Sequence, residues 1–315
     1  MSNITASMVK ALREKTGAGM MDCKAALTET SGDTDSAVGW LRKKGIAKAE
    51  KKVGRMAAEG LVAVVLDDAE LPRRGAMVEV NSETDFVARN ESFQELVRTV
   101  ARLALEANGD MEKLLKMEVP GAGVSVSEHI RNMIAKIGEN ISLRRCEAIN
   151  VSEGIIGSYV HSKVAPDMGK IAVLVAIKAA GDHVQLIQLG KQLAMHIASS
   201  DPMSVTEDGL DADVVAKEKA VLTEQARESG KPENIIENMV KGRLRKFFEE
   251  KVLLSQTFVI DNETKIADLL KTLSKDLGSS VNVKGFLRFQ VGEGIERDDR
   301  DSNNFAKEVA AMAGT

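Results

Sequence analysis

The chain has 315 residues, a length that suggests about two domains and allows a sizeable buried core. Its 43 Lys and Arg residues against 47 Asp and Glu residues give a net charge of −4, which argues against a protein that binds nucleic acid over its whole surface. Because only 3% of the residues are aromatic, a base-stacking platform for single-stranded nucleic acid is also disfavoured.

The N-terminal segment reads as three short helices with clear end signals. Thr5 is a suitable N-cap for the first helix, and Gly17 can end it. Asp22 is expected to cap the second helix. Asp33 is expected to cap the third helix, which we predict to end at Gly45. Because helices this short are marginal alone, we expect them to pack as a compact trio.

A basic run extends from the third helix, with Glu50 as the one acidic side chain within it. Residues 1–55 carry 11 basic and 6 acidic side chains, so an anionic partner is expected at this end of the chain. The run is either a solvated linker or helix face, or a charged docking surface. Its members are Arg42, Lys43, Lys44, Lys48, Lys51, Lys52 and Arg55.

Two related α+β halves follow, because one strand pattern occurs twice at an offset of 94 residues. Gly60 precedes LVAVVL and Gly154 precedes IIGSYV; Gly75 precedes AMVEV and Gly169 precedes KIAVLVAI. Each pair of apolar, β-branched runs predicts an antiparallel hairpin. Helical stripes follow each pair, so we expect each hairpin to be backed by helices.

Further helices are predicted along the chain. One carries apolar residues from Ile130 to Ile137 and ends at Gly138. A helical hairpin is predicted over residues 211–250, with Asp211 as its first cap and a turn at Pro232. This hairpin is either an antiparallel coiled-coil arm or a plain core hairpin. The chain closes with a strand at residues 285–291 and a short helix that carries Phe305, Val309 and Met312.

No enzymatic site can be assembled from the sequence. It has no phosphate-binding P-loop, no paired histidine ligands and no nucleophile elbow, so we expect no covalent chemistry, no cofactor and no metal. The only cysteines, Cys23 and Cys146, lie far apart and fit a reducing compartment. With neither a signal peptide nor a membrane-spanning run, a cytoplasmic protein without membrane contact is expected.

The most informative segment is VEVNSETDFVARNESF at residues 78–93. A predicted buried strand is followed by a run of polar residues that is typical of a turn. Phe86 follows directly, at a position where a turn residue is expected. An aromatic side chain presented beside the carboxylate of Asp85 suits the anchor of a protein interface. Alternatively, Asp85 caps the next helix and Phe86 folds into the core.

Two long motifs in this chain resemble those of the bacterial elongation factor Ts family. They are LREKTGAGMMDCKAAL at residues 12–27 and EVNSETDFVAR at residues 79–89. The likeness extends over almost the whole chain through shorter motifs, which are AKIGENISLRR, GSYVH, AMHIA and GFLRFQVGEGIE.

The resemblance implies an α+β fold with a ubiquitin-associated-like three-helix domain at the N-terminus. It further implies a core of two related α+β subdomains with antiparallel sheets, a coiled-coil hairpin and a C-terminal helix. The corresponding boundaries are 1–55 for the helical domain with its basic linker, 56–150 for the core N-subdomain, 151–210 and 257–292 for the two parts of the core C-subdomain, 211–256 for the hairpin and 293–315 for the C-terminal module.

The resemblance also implies a function, namely exchange of guanine nucleotide on the GTPase elongation factor Tu during translation elongation. Asp85 and Phe86, flanked by Thr84 and Val87, would intrude near the magnesium site of the GTPase and help to expel GDP. Further partner contacts are implied for Lys51, Lys52, Ile137, Gly138 and His161.

Three other hypotheses remain open at this stage. In the first, the three-helix domain is the recognition module of an adaptor, although an adaptor does not need the doubled core. An unrecognised enzyme would need convergent titratable groups that the sequence does not offer. RNA binding through residues 42–55 would have a steep salt dependence, and no direct nucleic-acid contact is expected. A doubled core is also compatible with self-association.

Overall fold

The structure is a computed structural model that describes residues 4–180, 183–228, 230 and 232–296. Its α-helices are α1 (Ala6–Thr16), α2 (Met20–Glu29), α3 (Thr34–Glu50), α4 (Glu91–Ala107), α5 (Met111–Lys116), α6 (Val126–Ile137), α7 (His183–Ser200), α8 (Ala212–Arg227), α9 (Glu233–Lys251) and α10 (Ile266–Leu277). Its β-strands are β1 (Glu59–Leu66), β2 (Arg74–Ser82), β3 (Ile141–Asn150), β4 (Ile155–His161), β5 (Met168–Gly169), β6 (Ile171–Lys178) and β7 (Asn282–Gln290).

The chain divides into two compact units, and strands β1, β2 and β3 each have one part in either unit. The described residues of the first unit lie within 1–62, 78–146 and 291–315, and those of the second lie within 63–77 and 147–290. One sheet has the strand order β3-β2-β1-β5, and the other has the order β4-β6-β7. The fold is therefore a mixture of helices and sheets, as predicted.

Helix ends in the first unit follow local capping chemistry. Thr5 accepts a hydrogen bond from the backbone N–H of Met8 at 3.3 Å, and Asp33 accepts one from that of Ser36 at 2.7 Å, so both predicted N-caps are confirmed. Gly17 ends α1 in the left-handed conformation, with φ of 66°, as predicted. The buried side chains of α1 to α3 form one cluster, which comprises Val9, Leu12, Cys23, Ala26, Leu27 and Ala37.

Two predictions in this region are wrong. Gly19, not Asp22, is the N-cap of α2, so Asp22 lies in the first turn, where a carboxylate is favourable beside the positive end of the helix dipole. Helix α3 does not end at Gly45 but continues to Glu50, because a single glycine costs a helix only about 1 kcal/mol. Lys48 of the basic run consequently belongs to this helix, as Arg42, Lys43 and Lys44 do, and not to a linker.

Helices α4 and α6 each bury an apolar face in the first unit. The buried face of α4 includes Phe93, Leu96 and Val100, which recur at the spacing of one helix face. Helix α6 ends at Gly138, whose φ of 86° is reached easily by glycine, and this prediction is confirmed. Helix α5 and strand β3 were not predicted.

The second unit is built on an antiparallel sheet. Strand β6 pairs with β4, with Gly157 opposite Val175, and with β7, with Val175 opposite Phe286. The predicted hairpin after Gly154 and the predicted last strand are thereby confirmed. Helix α7 buries Leu186, Leu193 and neighbouring residues in the same apolar cluster as β6, together with α10, which was not predicted.

Helices α8 and α9 form the predicted helical hairpin. Asp211 caps α8 by accepting from the backbone N–H of Asp213 at 2.8 Å, as predicted. The hairpin has a buried cluster of its own, distinct from that of the sheet, which comprises Leu222, Ala226, Ile236 and Val240 with Leu244 packed against them. This separation favours an arm over a plain core hairpin.

The predicted C-terminal helix with Phe305, Val309 and Met312 lies outside the described residues. Within those residues, no helix combines the length and apolar character needed to cross a bilayer.

Candidate functional site: the tip at residues 83–87

The segment that joins β2 to α4 carries the most exposed large aromatic side chain among the described residues. Strand β2 is buried along almost its whole length and delivers the chain to Ser82, which has no exposed surface. The next five residues, Glu83 to Val87, form what we call the tip. Within the tip, Glu83 and Thr84 are half-buried, whereas Asp85 is exposed and Phe86 is 74% exposed.

The alternative in which Phe86 folds into the core and Asp85 caps the next helix is wrong. Asn90 caps α4, because its side-chain oxygen accepts from the backbone N–H of Ser92 at 2.9 Å and from that of Phe93 at 3.3 Å. Leaving a phenylalanine side chain in water, instead of burying it, forgoes roughly 2–3 kcal/mol of stabilisation. An exposed aromatic side chain is suited to anchor a protein interface, where a few aromatic residues carry most of the binding energy.

Two glutamates hold the start of the tip. Glu139 binds residue 84 of the tip, and Glu83 of the tip binds the residue that follows Glu139. The Glu139 carboxylate accepts the backbone N–H of Thr84 at 2.9 Å and the Thr84 hydroxyl at 2.7 Å. In return, the Glu83 carboxylate accepts the backbone N–H of Asn140 at 2.6 Å. We call these four residues the clamp. It fixes the first half of the tip to the segment that leaves α6.

The clamp is linked further to the segment after α3. The Asn140 side-chain N–H donates to the backbone carbonyl of Arg55 at 2.6 Å, and the Arg55 guanidinium lies 3.6 Å from the Glu83 carboxylate. The predicted contact residues Lys51 and Lys52 precede Arg55 in this segment; Lys51 is exposed and Lys52 is half-buried. The end of the basic run is therefore anchored beside the base of the tip.

The second half of the tip enters a short 3₁₀ turn at Val87–Arg89. The backbone N–H of Arg89 donates to the carbonyl of Phe86 at 3.1 Å, and the Gln94 side chain donates to the carbonyl of Ala88 at 3.0 Å. We expected Val87 on the partner-facing surface, but it is buried. The turn directs its apolar side chain inward and leaves it only 6% exposed.

A buried carboxylate lies upstream of the tip on β2. Glu79 has no exposed surface and accepts from Arg144, Arg145 and the backbone N–H of Gly292. Burial opposes ionisation of Glu79. The hydrogen bonds from Gly292, Asn81 and Arg145, with the positive charge of Arg145, outweigh this effect and lower its pKa. The strand that carries the tip is thus fixed by a charged network.

The other predicted contact residues occupy two places. Ile137 is half-buried at the end of α6, and Gly138 is exposed directly before the clamp residue Glu139. His161 is exposed at the end of β4 in the second unit, where it pairs with Ile171 and its Nδ1 lies 3.3 Å from the Tyr159 hydroxyl. The structure therefore bonds Thr84 to Glu139, the residue that directly follows Ile137 and Gly138.

Glu83, Glu139 and Asn140 were missed by sequence reasoning as residues of the site. The available signal was the polar pair Glu139–Asn140 immediately after the glycine that ends α6. A pairing between residues 55 positions apart in the chain, however, has no periodic signature.

The exposed groups of the tip suit binding to another molecule. Its sequence, ETDFV, offers one exposed carboxylate and one exposed aromatic ring, without histidine, cysteine, serine or lysine. Over the part of the chain that the structure describes, no group of three or more His, Cys, Asp or Glu side chains is arranged to hold a metal ion.

Comparison with known proteins identifies the family. A protein-family model described as "Elongation factor TS" matches residues 83–293. Elongation factor Ts of Parvibaculum lavamentivorans is 53% identical over 313 residues, which cover 99% of both chains. Elongation factor Ts of Rhodospirillum centenum is 54% identical over 314 residues, which cover 100% of both chains. This chain therefore belongs to the elongation factor Ts family of translation elongation factors.

Proposed function

We propose that this protein is a guanine nucleotide exchange factor for elongation factor Tu, which it binds in the GDP-bound and nucleotide-free states. In this proposal, the Asp85–Phe86 part of the tip enters the GTPase near its magnesium site and promotes release of GDP. The single observation that carries the proposal is the 74% exposure of Phe86 on a segment that hydrogen bonds hold on both sides. Membership of the family supports the identity of the partner.

An exchange factor of this kind needs binding energy but no covalent chemistry. It must bind the nucleotide-free partner more tightly than the nucleotide-bound one, because the coupling between two binding equilibria is reciprocal. If the factor weakens GDP binding about a thousandfold, its own preference for the empty partner is about 4 kcal/mol. We therefore propose a role without enzymatic catalysis.

The magnesium ion explains how two side chains of the tip could weaken GDP binding strongly. The ion demands near-octahedral geometry, and it neutralises charge on the nucleotide phosphates. A phenylalanine ring and a carboxylate that shift the groups around the ion by a small distance would weaken that hold. Asp85 and Phe86 supply these two groups, Thr84 fixes the tip from one side, and the buried Val87 supports it from beneath.

The remaining contacts are proposed as a second layer of the interface. Lys51 and Lys52 would meet acidic groups of the partner, and Ile137 and Gly138 would pack beside the tip. His161 would contact a separate surface of the partner. We also propose that α1 to α3 form a ubiquitin-associated-like domain, which their common buried cluster supports.

The test is the release of a fluorescent GDP analogue from purified elongation factor Tu, chased with excess unlabelled GDP. We expect acceleration that rises with the concentration of this protein and is blunted in the double variant Asp85→Ala/Phe86→Ala. Val184→Ala is the matched control, because Val184 in α7 is also 74% exposed. Acceleration that survives the double substitution would keep the exchange function and move the site away from the tip.

A recognition adaptor is the second candidate, and one observation favours it. Met20 and Met21 at the start of α2 are 55% and 76% exposed, so the three-helix domain presents an apolar surface of its own. In an adaptor, Met21→Ser would abolish partner capture, and the unsubstituted protein would leave GDP release unchanged. Acceleration of release by the unsubstituted protein argues against this candidate.

A further inference from the structure

We infer that Glu139 is a positioning residue for nucleotide exchange: through Thr84 it holds the tip in its partner-ready orientation before the partner binds. The inference rests on the proposed function and assigns a role to a residue outside the tip. Glu139 lies 55 positions away in sequence and reaches the tip only through the fold.

The geometry is that of a two-point grip. One carboxylate oxygen of Glu139 accepts the Thr84 backbone N–H at 2.9 Å, and the other accepts the Thr84 hydroxyl at 2.7 Å. Charge-assisted hydrogen bonds of this kind are about twice as strong as neutral ones. Because the two bonds involve both the main chain and the side chain of Thr84, they restrict its rotation as well as its position.

The grip is reinforced from the opposite direction. Asn140, the neighbour of Glu139, donates its backbone N–H to the Glu83 carboxylate at 2.6 Å. Gly138 ends α6 in a left-handed conformation, and the chain then places Glu139 and Asn140 against residues 83 and 84. The segment after α6 thus acts as a rigid support for the tip.

A fixed tip matters because ordering a loop during binding consumes free energy. An immobilised side chain in an interface costs about 0.5–1.5 kcal/mol, and preorganisation removes that cost before the encounter. A tip released from Glu139 would still reach the partner, but it would populate orientations that do not press on the magnesium site. The loss should therefore fall on the maximal rate of GDP release more than on the concentration for half-saturation.

The substitution Glu139→Gln tests this division. Glutamine keeps the size of the side chain but removes its negative charge. Its oxygen can still accept the Thr84 N–H and its N–H can donate to the Thr84 hydroxyl, so both bonds become neutral and weaker. We expect the maximal release rate to fall roughly three- to tenfold, which corresponds to the difference between a charge-assisted and a neutral hydrogen bond. The half-saturating concentration should stay within about twofold. Glu112→Gln, an exposed carboxylate on α5 paired with Lys116, is the matched control and should change neither quantity.

A second background separates positioning from a general loss of structure. In the Asp85→Ala/Phe86→Ala protein, Glu139→Gln should leave the residual release rate unchanged, because the groups that it positions are absent. An equal fold-loss in both backgrounds would overturn the inference. It would indicate a direct partner contact or an unfolding effect.

Amide hydrogen exchange in the free protein provides a readout that is independent of the partner. We expect Glu139→Gln to accelerate exchange of the Thr84 N–H roughly three- to tenfold, because its bond to residue 139 is weakened, while the amides of α4 stay protected. Unchanged exchange at Thr84 would overturn the grip itself. If the unsubstituted protein fails to accelerate GDP release, the proposed function fails and the positioning role falls with it; full acceleration by Glu139→Gln overturns the positioning role alone.

Discussion

Arg145 donates its Nε–H to Glu79 at 2.6 Å, and Glu79 is wholly buried. Arg144 adds bonds of 3.1 and 3.2 Å to the two carboxylate oxygens, and the backbone N–H of Gly292 donates at 2.8 Å. This one carboxylate connects β2, β3 and the segment that begins at Val291, through residues that all belong to the first unit. The strand that carries the tip depends on it.

Glu79→Gln should lower the free energy of unfolding by roughly 2–4 kcal/mol, because it leaves two arginines without their buried counter-charge. The two guanidinium groups are partly exposed, so water limits the loss. Urea unfolding, followed by circular dichroism, measures this free energy in both proteins. Glu112→Gln, which removes an exposed ion pair, should change the free energy of unfolding by less than about 0.5 kcal/mol. Similar losses in both variants would contradict the network.

Acid should weaken the same network in a defined pH window. The pKa of Glu79 lies below its ordinary value of 4.5, so the unfolded chain binds more protons than the folded one between the two values. Stability from Glu79 is then present above pH 4.5 and is lost as the pH falls through the folded-state pKa. Denaturant unfolding between pH 6 and pH 3 should show a smaller loss in Glu79→Gln than in the unsubstituted protein. Parallel curves would refute this.

The buried His196 should cause a second loss of stability, at a higher pH than the loss caused by Glu79. Its Nε2 lies 2.8 Å from the Gln256 side-chain oxygen, and its Nδ1 accepts the backbone N–H of Val259 at 3.3 Å, so the ring is held neutral. Burial lowers the pKa of His196 and outweighs the hydrogen bond to Gln256. The unfolded chain therefore takes up the proton first, and stability falls as the pH drops below the ordinary value of 6.5.

Nuclear magnetic resonance of the imidazole checks this prediction. The His196 ring should remain neutral at pH 6.5, with its proton on Nε2. His196→Phe should remove the corresponding part of the pH dependence of unfolding between pH 7 and pH 5.5. An imidazole already charged at pH 6.5 in the folded protein would contradict the assignment.

Gly157 of β4 and Gly190 of α7 lie against each other, with little space between their backbones. A Cβ on Gly157 would lie 2.5 Å from the backbone of Gly190, which cannot move without moving the helix. Gly157→Ala should therefore destabilise the protein by roughly 1–3 kcal/mol or more, measured by thermal unfolding. Gly242→Ala in α9 is the control. A Cβ there meets nothing within 4 Å, and the substitution should stabilise the protein by up to about 1 kcal/mol.

Features that depend on local chemistry were predicted well from the sequence. The caps at Thr5, Asp33 and Asp211 and the helix end at Gly138 involve neighbours within four residues, so the sequence around them specifies them. The wrong helix end at Gly45 also came from a local signal. A glycine is a weak stop signal when the residues on both sides of it favour the helix.

Features that depend on distant partners could not be predicted in this way. Strand β3 was missed because Arg144 and Arg145 interrupt its alternation of apolar and polar residues. Both arginines donate to Glu79, which lies 65 positions before Arg144 and 66 before Arg145. The exposure of Phe86 and the burial of Val87 are likewise set by tertiary packing. The family motifs pointed to the tip, whereas the contacts of Glu139 with Thr84 emerge only from the fold.

The magnesium dependence of GDP release tests the central claim most directly. The measurement compares the unsubstituted protein with Phe86→Ala at saturating concentrations, once with free Mg²⁺ and once with excess chelator. We predict that Phe86→Ala is slower by at least about threefold with Mg²⁺, and that the two rates converge when the ion has been removed. Equal saturating rates in the presence of Mg²⁺ would contradict the role of Phe86 as the wedge.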